Sequence, residues 1–292
     1  MDLSVVIVNL DTRDLVVACL NSLALERQSL DAEVFVVDNA STDGSVEAVR
    51  TAHPWVHVIQ NDRNLGFSRA NNVALRRTTG RLVFLLNPDT ELRAGAVQTL
   101  RAALDSLEDA VGVGPKVVRP DGRLDLACRR SFPSPGVALA RLSGLSRLFP
   151  RARWFGRYNL TYADPDRPGE MDAGTAAAMM FRRDALAAID FFDEDYFMYG
   201  DDLDLCFRLK ARGGRIYYVP GAVVMHHKGA TTGKRPRPML REFHRSMWIF
   251  YRKHYATGWG AALAPAVWLG IKLRHGFVLG FNALKGRQIV SP

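Results

Sequence analysis

Acidic residues and histidines occur in this chain next to short apolar runs. Asp201 and Asp202 precede an apolar segment in Tyr199-Gly-Asp-Asp-Leu-Asp-Leu-Cys-Phe-Arg208, Asp89 follows one apolar run, and His226 follows another. Carboxylates and an imidazole at strand ends can bind a divalent cation together with a diphosphate. A carboxylate beside such a site can take a proton from an attacking hydroxyl. The pattern predicts an enzyme, with Asp202 as general base and with Asp89 and His226 as metal ligands.

Each of these residues also has a structural interpretation. Asp201 suits the N-cap of the following helix, with Asp204 completing a capping box. Asn87-Pro-Asp89 is also strong turn chemistry. Since alternate residues of an extended chain point to opposite faces, only one of His226 and His227 can face a site. We assign His226 to the metal, and His227 to the outside or to the diphosphate.

Two further polar segments predict a ligand pocket. Asp38 ends an apolar run, and ligands of open α/β sheets bind beyond the carboxyl ends of strands. A carboxylate there can accept a hydrogen bond from the N–H of a pyrimidine base, or it can be an ordinary turn acid. In Asn64-Leu-Gly-Phe-Ser-Arg-Ala-Asn-Asn72, Gly66 stands where the backbone has to pass close to a flat group. The alternative there is a plain turn into a helix capped by Ser68.

Short β-branched runs alternate with segments of helical periodicity over the first hundred residues. This alternation predicts an α/β fold with a mostly parallel sheet flanked by helices. The middle, from about Arg119 to Glu170, is rich in Pro, Arg and Gly and is predicted to be an irregular loop region facing an acceptor. An amphipathic helix is predicted over Met239 to Tyr255. We divide the chain into a catalytic domain, 1–238, and a helical C-terminal extension, 239–292.

The order of these motifs resembles that of inverting glycosyltransferases of family 2, which have the GT-A fold. The resemblance is greatest to the rhamnosyltransferase-like branch that extends polyprenyl-diphosphate-linked glycans. It covers roughly residues 3 to 255, through six segments: Ser4–Asn9, Val37–Gly44, Asn64–Asn72, Leu86–Asp89, Gly200–Arg208 and His226–Gly229.

The resemblance implies a role for individual residues. Those that would hold the nucleotide-sugar donor are Asn9, Asp38, Asn64, Gly66, Phe67, Asn71, Asn87 and Asp89. Asp89 in the family's DxD element and His226 would ligate Mg²⁺ or Mn²⁺, and Asp202 would be the catalytic base. Supporting or acceptor residues would be Asp201, Thr175, His227 and Lys228, with Gly229, Thr231 and Thr232 near phosphates. Asn87 replaces the first acid of that element, which removes one negative charge near the ribose.

The donor sugar stays open. The resemblance favours a dTDP-linked, rhamnose-like donor and a polyprenyl-diphosphate saccharide acceptor in cell-envelope polysaccharide synthesis. A UDP-linked donor, such as galactofuranose or an N-acetylhexosamine, is the alternative. Two other classes are a sugar nucleotidyltransferase and a non-catalytic nucleotide-sugar-binding protein. The first should carry a glycine-rich basic loop where this chain has Asn9-Leu-Asp-Thr-Arg13, and the second should have lost one of its three candidate catalytic residues.

The basic charge of the chain is concentrated at its C-terminal end. The 292 residues carry a net charge of +9, yet residues 228–292 contain a single acidic residue, Glu242. Basic and aromatic residues occur together there: Trp248, Lys253, Trp259, Trp268, Lys272, Arg274, Lys285 and Arg287. This composition predicts contact with anionic lipid. The alternatives are a helical layer packed on the catalytic domain and an interface of a homo-oligomer.

Three cysteines without CxxC spacing, Cys19, Cys128 and Cys206, predict reduced structural thiols. We see no signal-peptide pattern at the start of the chain and no apolar run long enough to cross a membrane. We therefore expect a cytoplasmic protein at the inner face of the plasma membrane. No nucleic-acid-binding module is recognised.

Overall fold

The structure is a computed structural model, and it describes residues 1–27, 30–134, 136–137, 144–228 and 236–285. A single mixed sheet with helices on its faces forms the body of the molecule. The strands are β1 Leu3–Asn9, β2 Ala32–Asp38, β3 His57–Gln60, β4 Leu82–Leu86, β5 Thr90–Leu92, β6 Ala110–Val118, β7 Gly169–Met171, β8 Ala178–Arg182 and β9 Arg215–His226. The helices are α1 Arg13–Arg27, α2 Ser45–Ala52, α3 Phe67–Leu75, α4 Ala96–Ser106, α5 Leu145–Leu148, α6 Arg183–Ala188, α7 Asp201–Ala211, α8 Pro236–His254 and α9 Trp259–Lys285.

The strands lie in the order β3-β2-β1-β4-β8-β6-β9-β5, and β7 pairs with β9. The predicted parallel part is confirmed for β1 to β4, where Asn9 lies opposite Asp38 and Ile7 opposite Leu86. β8 runs antiparallel to both β4 and β6, and β6 runs parallel to β9. β9 therefore runs in the same direction as β4, and its carboxyl end at His226 lies at the same sheet edge as the carboxyl ends of β1, β2 and β4.

Strands β5, β6, β7 and β8 were not predicted. β6 contains Gly112, Gly114 and Pro115, and these residue types argue against a strand. The structure shows a use for one of them, because a Cβ at Gly112 would lie 2.6 Å from the ring of Phe181 on β8. β9 contains Pro220-Gly221, residue types that often end a strand. It is nevertheless one strand, whose register against β6 shifts between Pro115 and Lys116.

The start of α7 differs from the predicted capping box. Its N-cap is Gly200, with φ of 71°, and Asp201 is the first helical residue. Tyr199 also has a positive φ, 68°, so the chain turns sharply into the helix. Asp204 is fully buried and pairs with Arg208 in its own helix instead of capping. Glycine takes this left-handed conformation at little cost, which is why the cap falls one residue earlier than predicted.

Helix α8 packs on the sheet domain and α9 packs on α8. Ile249 and Phe250 of α8 belong to the main hydrophobic core. The boundary that we placed at residue 238 stays a prediction. In contrast, α9 leaves much apolar surface open to solvent: Trp259, Leu263, Trp268, Leu269, Leu273, Phe277, Leu279 and Leu284 are exposed. No helix in the described part of the chain is long and apolar enough to cross a membrane.

The three cysteines, Cys19, Cys128 and Cys206, are buried and free, as predicted for structural thiols. Burial raises the pKa of Cys19 and of Cys206 to about 12, so neither thiol ionises at neutral pH.

Candidate active site

The carboxyl ends of the parallel strands bring the predicted residues to one edge of the sheet. His226 ends β9, and Asp89 immediately precedes β5, which pairs with β9 so that Thr90 lies opposite His226. The backbone N–H of His227 donates to the carbonyl of Asp89 at 2.8 Å. The short strand β5 thus fixes Asp89 against the end of β9.

Asp89 and His226 are in direct contact. The Oδ1 atom of Asp89 lies 3.2 Å from Nε2 of His226, and both side chains are largely buried. On the other side of the imidazole, Nδ1 lies 3.6 Å from Oδ2 of Asp125. Lys228 Nζ donates to the other oxygen of Asp125 at 3.1 Å. The structure therefore brings together two predicted metal ligands, a predicted supporting lysine, and an aspartate that the sequence analysis did not single out.

Burial and the neighbouring carboxylates shift the pKa of His226 in opposite directions. Burial disfavours the imidazolium, but Asp125 and Asp89 stabilise it more strongly, and together they raise the pKa of His226 to about 9. Burial also opposes ionisation of Asp125, yet the nearby imidazole of His226 and the charge of Lys228 keep the pKa of this carboxyl well below its usual range. A cation bound at Nε2 would take the place of the imidazolium proton.

The residues present fit a small divalent cation. Mg²⁺ and Mn²⁺ hold oxygen and nitrogen ligands at about 2.1 Å, so adjacent ligands of an octahedral ion lie roughly 3 Å apart, close to the 3.2 Å between Asp89 Oδ1 and His226 Nε2. Within the described ranges, no three His, Cys, Asp or Glu side chains form a metal-binding group. Two protein ligands would therefore leave the remaining positions to substrate oxygens and water, which is usual for ions that bind diphosphates.

The predicted base, Asp202, lies on the first turn of α7 and is held by Arg130. Arg130 Nη2 donates to Oδ2 of Asp202 at 2.6 Å, and the two side chains are only 10% and 14% exposed. Arg130 Nη2 also donates to the carbonyl of Gly174, and the Arg130 backbone forms a β-bridge with Ala173. The loop 174–177 continues towards Asp89. Its Ala177 carbonyl accepts a hydrogen bond from the N–H of Asn87 at 2.9 Å, two residues before Asp89. Asp202 is thus linked to the Asp89 side through Arg130 and this loop.

Asp201 and Asp202 differ in their surroundings. Asp201 is 6% exposed and its Oδ1 accepts the N–H of Asp202 at 2.8 Å, while its Oδ2 has no hydrogen-bond partner among the described residues. Burial and the adjacent charge of Asp202 raise the pKa of Asp201 to about 8. The protonated form of Asp201 is therefore favoured relative to an ordinary carboxyl group.

Asn9 and Asp38 form a closed hydrogen-bonded pair at the ends of β1 and β2. Asn9 Nδ2 donates to Asp38 Oδ1 at 2.9 Å, and its Oδ1 accepts from Thr12 Oγ1 at 2.6 Å. Asp38 Oδ2 accepts the N–H of Ser41 at 2.9 Å. Both side chains are 1% exposed. In this arrangement the two side chains bind each other and, through Ser41, hold the loop that follows β2.

The flat group beside Gly66 is an aromatic side chain of the protein itself. Gly66 has φ of 81°, and a Cβ there would lie 2.5 Å from the carbonyl oxygen and 2.6 Å from the ring of Phe197. The N–H of Phe67 donates to the same carbonyl at 2.7 Å. Asn64 Oδ1 accepts from the N–H of Gly66 at 2.8 Å, and Asn71 Nδ2 donates to the carbonyl of Phe67 at 2.9 Å. The cap of α3 is Gly66 and not Ser68.

The remaining predicted residues lie at the same edge or face away from it. The carbonyl of Asn87 accepts from Thr90 Oγ1 at 2.6 Å. Thr175 lies in the loop 174–177, where its carbonyl accepts from the N–H of Ala178 at 3.2 Å. His227 points away from Asp89 and pairs with Glu91 at 2.7 Å, as expected for the neighbour of a site histidine. The predicted phosphate contacts Gly229, Thr231 and Thr232 lie outside the described residues.

Sequence reasoning missed Asp125 and Arg130. Both lie in the middle region that was predicted to be irregular, one at the N-cap of the short 3-10 turn Leu126–Cys128 and the other just after it. Their spacing forms no motif, and each reaches its partner only through the fold. The local sequence feature that could have pointed to Arg130 is the pair Arg129-Arg130 directly after Leu126-Ala-Cys128.

Comparison with known proteins agrees with this geometry. The model of glycosyl transferase family 2 matches residues 4–190, and that of glycosyl transferase family group 2 matches residues 134–284. The chain is similar to an N-acetylglucosaminyl-diphospho-decaprenol L-rhamnosyltransferase of Mycobacterium tuberculosis, with 32% identity over 91% of this chain and 89% of that protein. A low-salt glycan biosynthesis hexosyltransferase of Haloferax volcanii is 27% identical over 72% of this chain and 62% of that protein.

Solved structures show the same fold at lower identity. A mannosyltransferase of Pyrobaculum calidifontis, in complex with GDP-Man and Mn²⁺, superposes with a TM-score of 0.60 at 17% identity, over 98% of this chain and 76% of that one. S. aureus TarS 1–349 gives a TM-score of 0.59 at 18% identity, over 88% and 66%. The extent of the family match and the 32% identity to a whole transferase show that this chain belongs to glycosyl transferase family 2 and is a glycosyltransferase.

Proposed function

We propose that this chain transfers a rhamnose-like sugar from a nucleoside diphosphate to a polyprenyl-diphosphate-linked saccharide, with metal dependence and with inversion at the anomeric carbon. The observation that carries the proposal is the similarity to the decaprenol-linked rhamnosyltransferase over 91% of the chain. The contact between Asp89 and His226 at the carboxyl edge of the sheet supports a diphosphate-binding site.

Asp89 and His226 would hold the cation, which would neutralise the departing diphosphate. Asp202 would accept the proton of the acceptor hydroxyl as its oxygen forms a bond to the anomeric carbon and the bond to the diphosphate breaks. Attack from the face opposite the leaving group inverts the configuration. Asp202 Oδ2 is held by Arg130, and Oδ1 accepts the N–H of Leu203 at 2.8 Å. Each oxygen keeps a lone pair for the acceptor hydroxyl.

The surroundings of the two adjacent carboxyl groups suit this role. Burial and the neighbouring carboxylate raise the pKa of Asp201, which favours its protonated form and limits repulsion within the pair. Asp202 has a partner of opposite charge in Arg130. The proton that Asp202 accepts moves as the bond to the leaving group breaks.

The test compares Asp202→Asn with the wild-type chain. We expect transfer to fall by at least about a hundredfold, the lower end of what a general base contributes, while donor affinity stays within a few fold. Turnover is followed with dTDP-rhamnose and, separately, UDP-sugars, and affinity by thermal shift with Mn²⁺. Asp195→Asn, an exposed carboxylate on the loop before α7, is the matched control. Wild-type turnover in Asp202→Asn would remove Asp202 from this role.

We further propose that α9 contacts the membrane that holds the lipid-linked acceptor, on its cytoplasmic side. Trp259 and Phe277 are 89% and 73% exposed, although α9 also buries Ile271 and Val278. Lys272 lies 5.3 Å from the ring of Trp268, as in interfacial segments where cations flank aromatic rings. Arg274 instead contacts the neighbouring helix α8, where its guanidinium lies over the ring of Phe243. The exposed apolar area with basic residues nearby is what supports a lipid contact.

A further inference from the structure

Asp125 is a buried carboxylate that the proposed reaction does not use. It is 2% exposed and caps the 3-10 turn Leu126–Cys128. Its Oδ1 accepts the N–H of Ala127 and the ammonium of Lys228, both at 3.1 Å. This oxygen is therefore satisfied by structural contacts, and the question is what the second oxygen does.

The second oxygen faces the imidazole of His226. Oδ2 of Asp125 lies 3.6 Å from Nδ1 of His226. Among the described residues, neither atom has a hydrogen-bond partner at normal distance. Buried polar atoms are rarely left unpaired. A shift of a few tenths of an ångström would let Nδ1–H donate to Oδ2, and it would satisfy both atoms at once.

The two ring nitrogens of His226 face different carboxylates. Nε2 faces Asp89 at 3.2 Å and Nδ1 faces Asp125. Because the two nitrogens project from opposite sides of the ring, a cation held by Nε2 and Asp89 is out of reach of Asp125. Any effect of Asp125 on that cation therefore has to pass through His226.

We propose that Asp125 is a positioning residue: by accepting the Nδ1–H of His226 it orients the imidazole so that Nε2, beside Asp89, would present its lone pair to a cation that displaces the Nε2 proton. Carboxylates that accept the second N–H of a ligating histidine fix its tautomer and orientation, and their loss weakens metal binding. The inference rests on the proposed function of His226 as a metal ligand. It adds a residue from the irregular middle region to the machinery of the site.

The experiment measures Mn²⁺ binding to the full chain without nucleotide, through the electron paramagnetic resonance signal of free Mn²⁺. We expect Asp125→Asn to weaken Mn²⁺ affinity by roughly 10–100-fold. The matched control is Glu91→Gln, because Glu91 pairs with the adjacent His227 at 2.7 Å on the other face of the strand. It removes the same kind of contact and should leave Mn²⁺ affinity within about twofold, since His227 faces away from Asp89.

A second variant and a double variant separate the outcomes. Asp125→Ser keeps a polar cap for the 3-10 turn but cannot reach His226, so it should lose affinity as Asp125→Asn does. Adding Asp125→Asn to His226→Gln should cause no further loss, whereas a further loss of tenfold or more would overturn the positioning role. If Asp89→Asn and His226→Gln both bind Mn²⁺ as the wild type does, the metal site itself fails. If those two lose affinity and Asp125→Asn does not, only this inference fails.

Discussion

Burial separates the roles of two adjacent carboxylates. Asp201 has one oxygen bound to the N–H of its neighbour and the other without a partner in the described part of the chain. Asp202 has a guanidinium on one oxygen and a backbone N–H on the other. The same residue type is thus buried without a charged partner among the residues described at one position and held by a guanidinium at the next, and we propose only the second, Asp202, as a base.

This difference predicts how stability depends on pH. The pKa of Asp201 is raised from 3.8 to about 8 by burial and by Asp202. Its contribution to the free energy of unfolding is therefore complete below about pH 4 and is lost as the pH rises towards 8. Asp201→Asn removes this loss, so its Tm relative to the wild type should increase between pH 5 and pH 8.5.

We expect the Tm difference to change by at least about 2 °C, the shift that roughly 1 kcal/mol causes in a chain of this size. Calorimetry at several pH values measures it. Asp195→Asn is the control, because the hydrogen bond from Lys253 lowers the pKa of Asp195, so its Tm difference from the wild type should stay constant over this pH range. A pH-independent Tm difference for Asp201→Asn would show that Asp201 is ionised in the folded chain.

The position of a single residue could be predicted when it directly follows a strand that the sequence reveals. Asp89 and His226 follow apolar runs, so their meeting at one sheet edge could be expected from the sequence. Asp125 and Arg130 lie in a segment without periodicity, and their partners are 101 and 72 residues away in His226 and Asp202. Contacts of this kind depend on the tertiary path of the chain, and no local pattern encodes them.

At the scale of elements, the turn before α3 depends on one close approach. Gly66 combines φ of 81° with a site where a Cβ would lie 2.5 Å from the carbonyl oxygen of Phe197. Gly95 before α4 has nearly the same φ, 79°, but a Cβ there would meet nothing within 4 Å. Their ψ angles differ, however: Gly66 has ψ of −176°, a conformation that is essentially restricted to glycine, and Gly95 has ψ of 3° in the left-handed region. A Cβ at Gly66 therefore meets both greater backbone strain and steric contact.

We expect Gly95→Ala to destabilise the chain by about 1 kcal/mol, the cost of a left-handed conformation with a Cβ. Gly66→Ala should cost at least about 2 kcal/mol more, because its backbone conformation is essentially restricted to glycine and because the backbone of Phe197 has to move to admit the methyl group. Urea unfolding of both variants measures the difference. Equal losses would mean that the Phe197 segment yields freely.

Element types were predicted best where local preference and burial agree. Strands β1, β2 and β4 are buried apolar runs rich in β-branched residues, and runs of this kind carried the prediction of a parallel sheet. β6 was missed because it contains two glycines and a proline, and at Gly112 close packing against Phe181 of β8 overrides the low strand propensity. β5 has three residues, too few for a periodic signal.

For the whole molecule, the exposed apolar face of α9 is the basis of the proposed membrane contact. We expect the full chain to float with vesicles that contain anionic lipid and to float less with neutral vesicles or at high salt. Replacing Leu273 and Phe277 together by Ser should reduce flotation severalfold, because both side chains are exposed. Leu25→Ser on α1 removes an equally exposed apolar side chain elsewhere and should have no effect. Unchanged flotation of the double variant would assign the apolar face of α9 to another partner.

The last turn of α8 reaches back to the helix that carries Asp202. His254 Nε2 lies 2.7 Å from Asp204 Oδ1, and Lys253 pairs with Asp193 and Asp195. A version of the protein cut before α8 would leave the buried carboxylate of Asp204 with Arg208 as its remaining partner in the described structure. Anyone who trims this enzyme for crystallisation should therefore cut after the turn at Ala256 to Gly258, so that only α9 is lost.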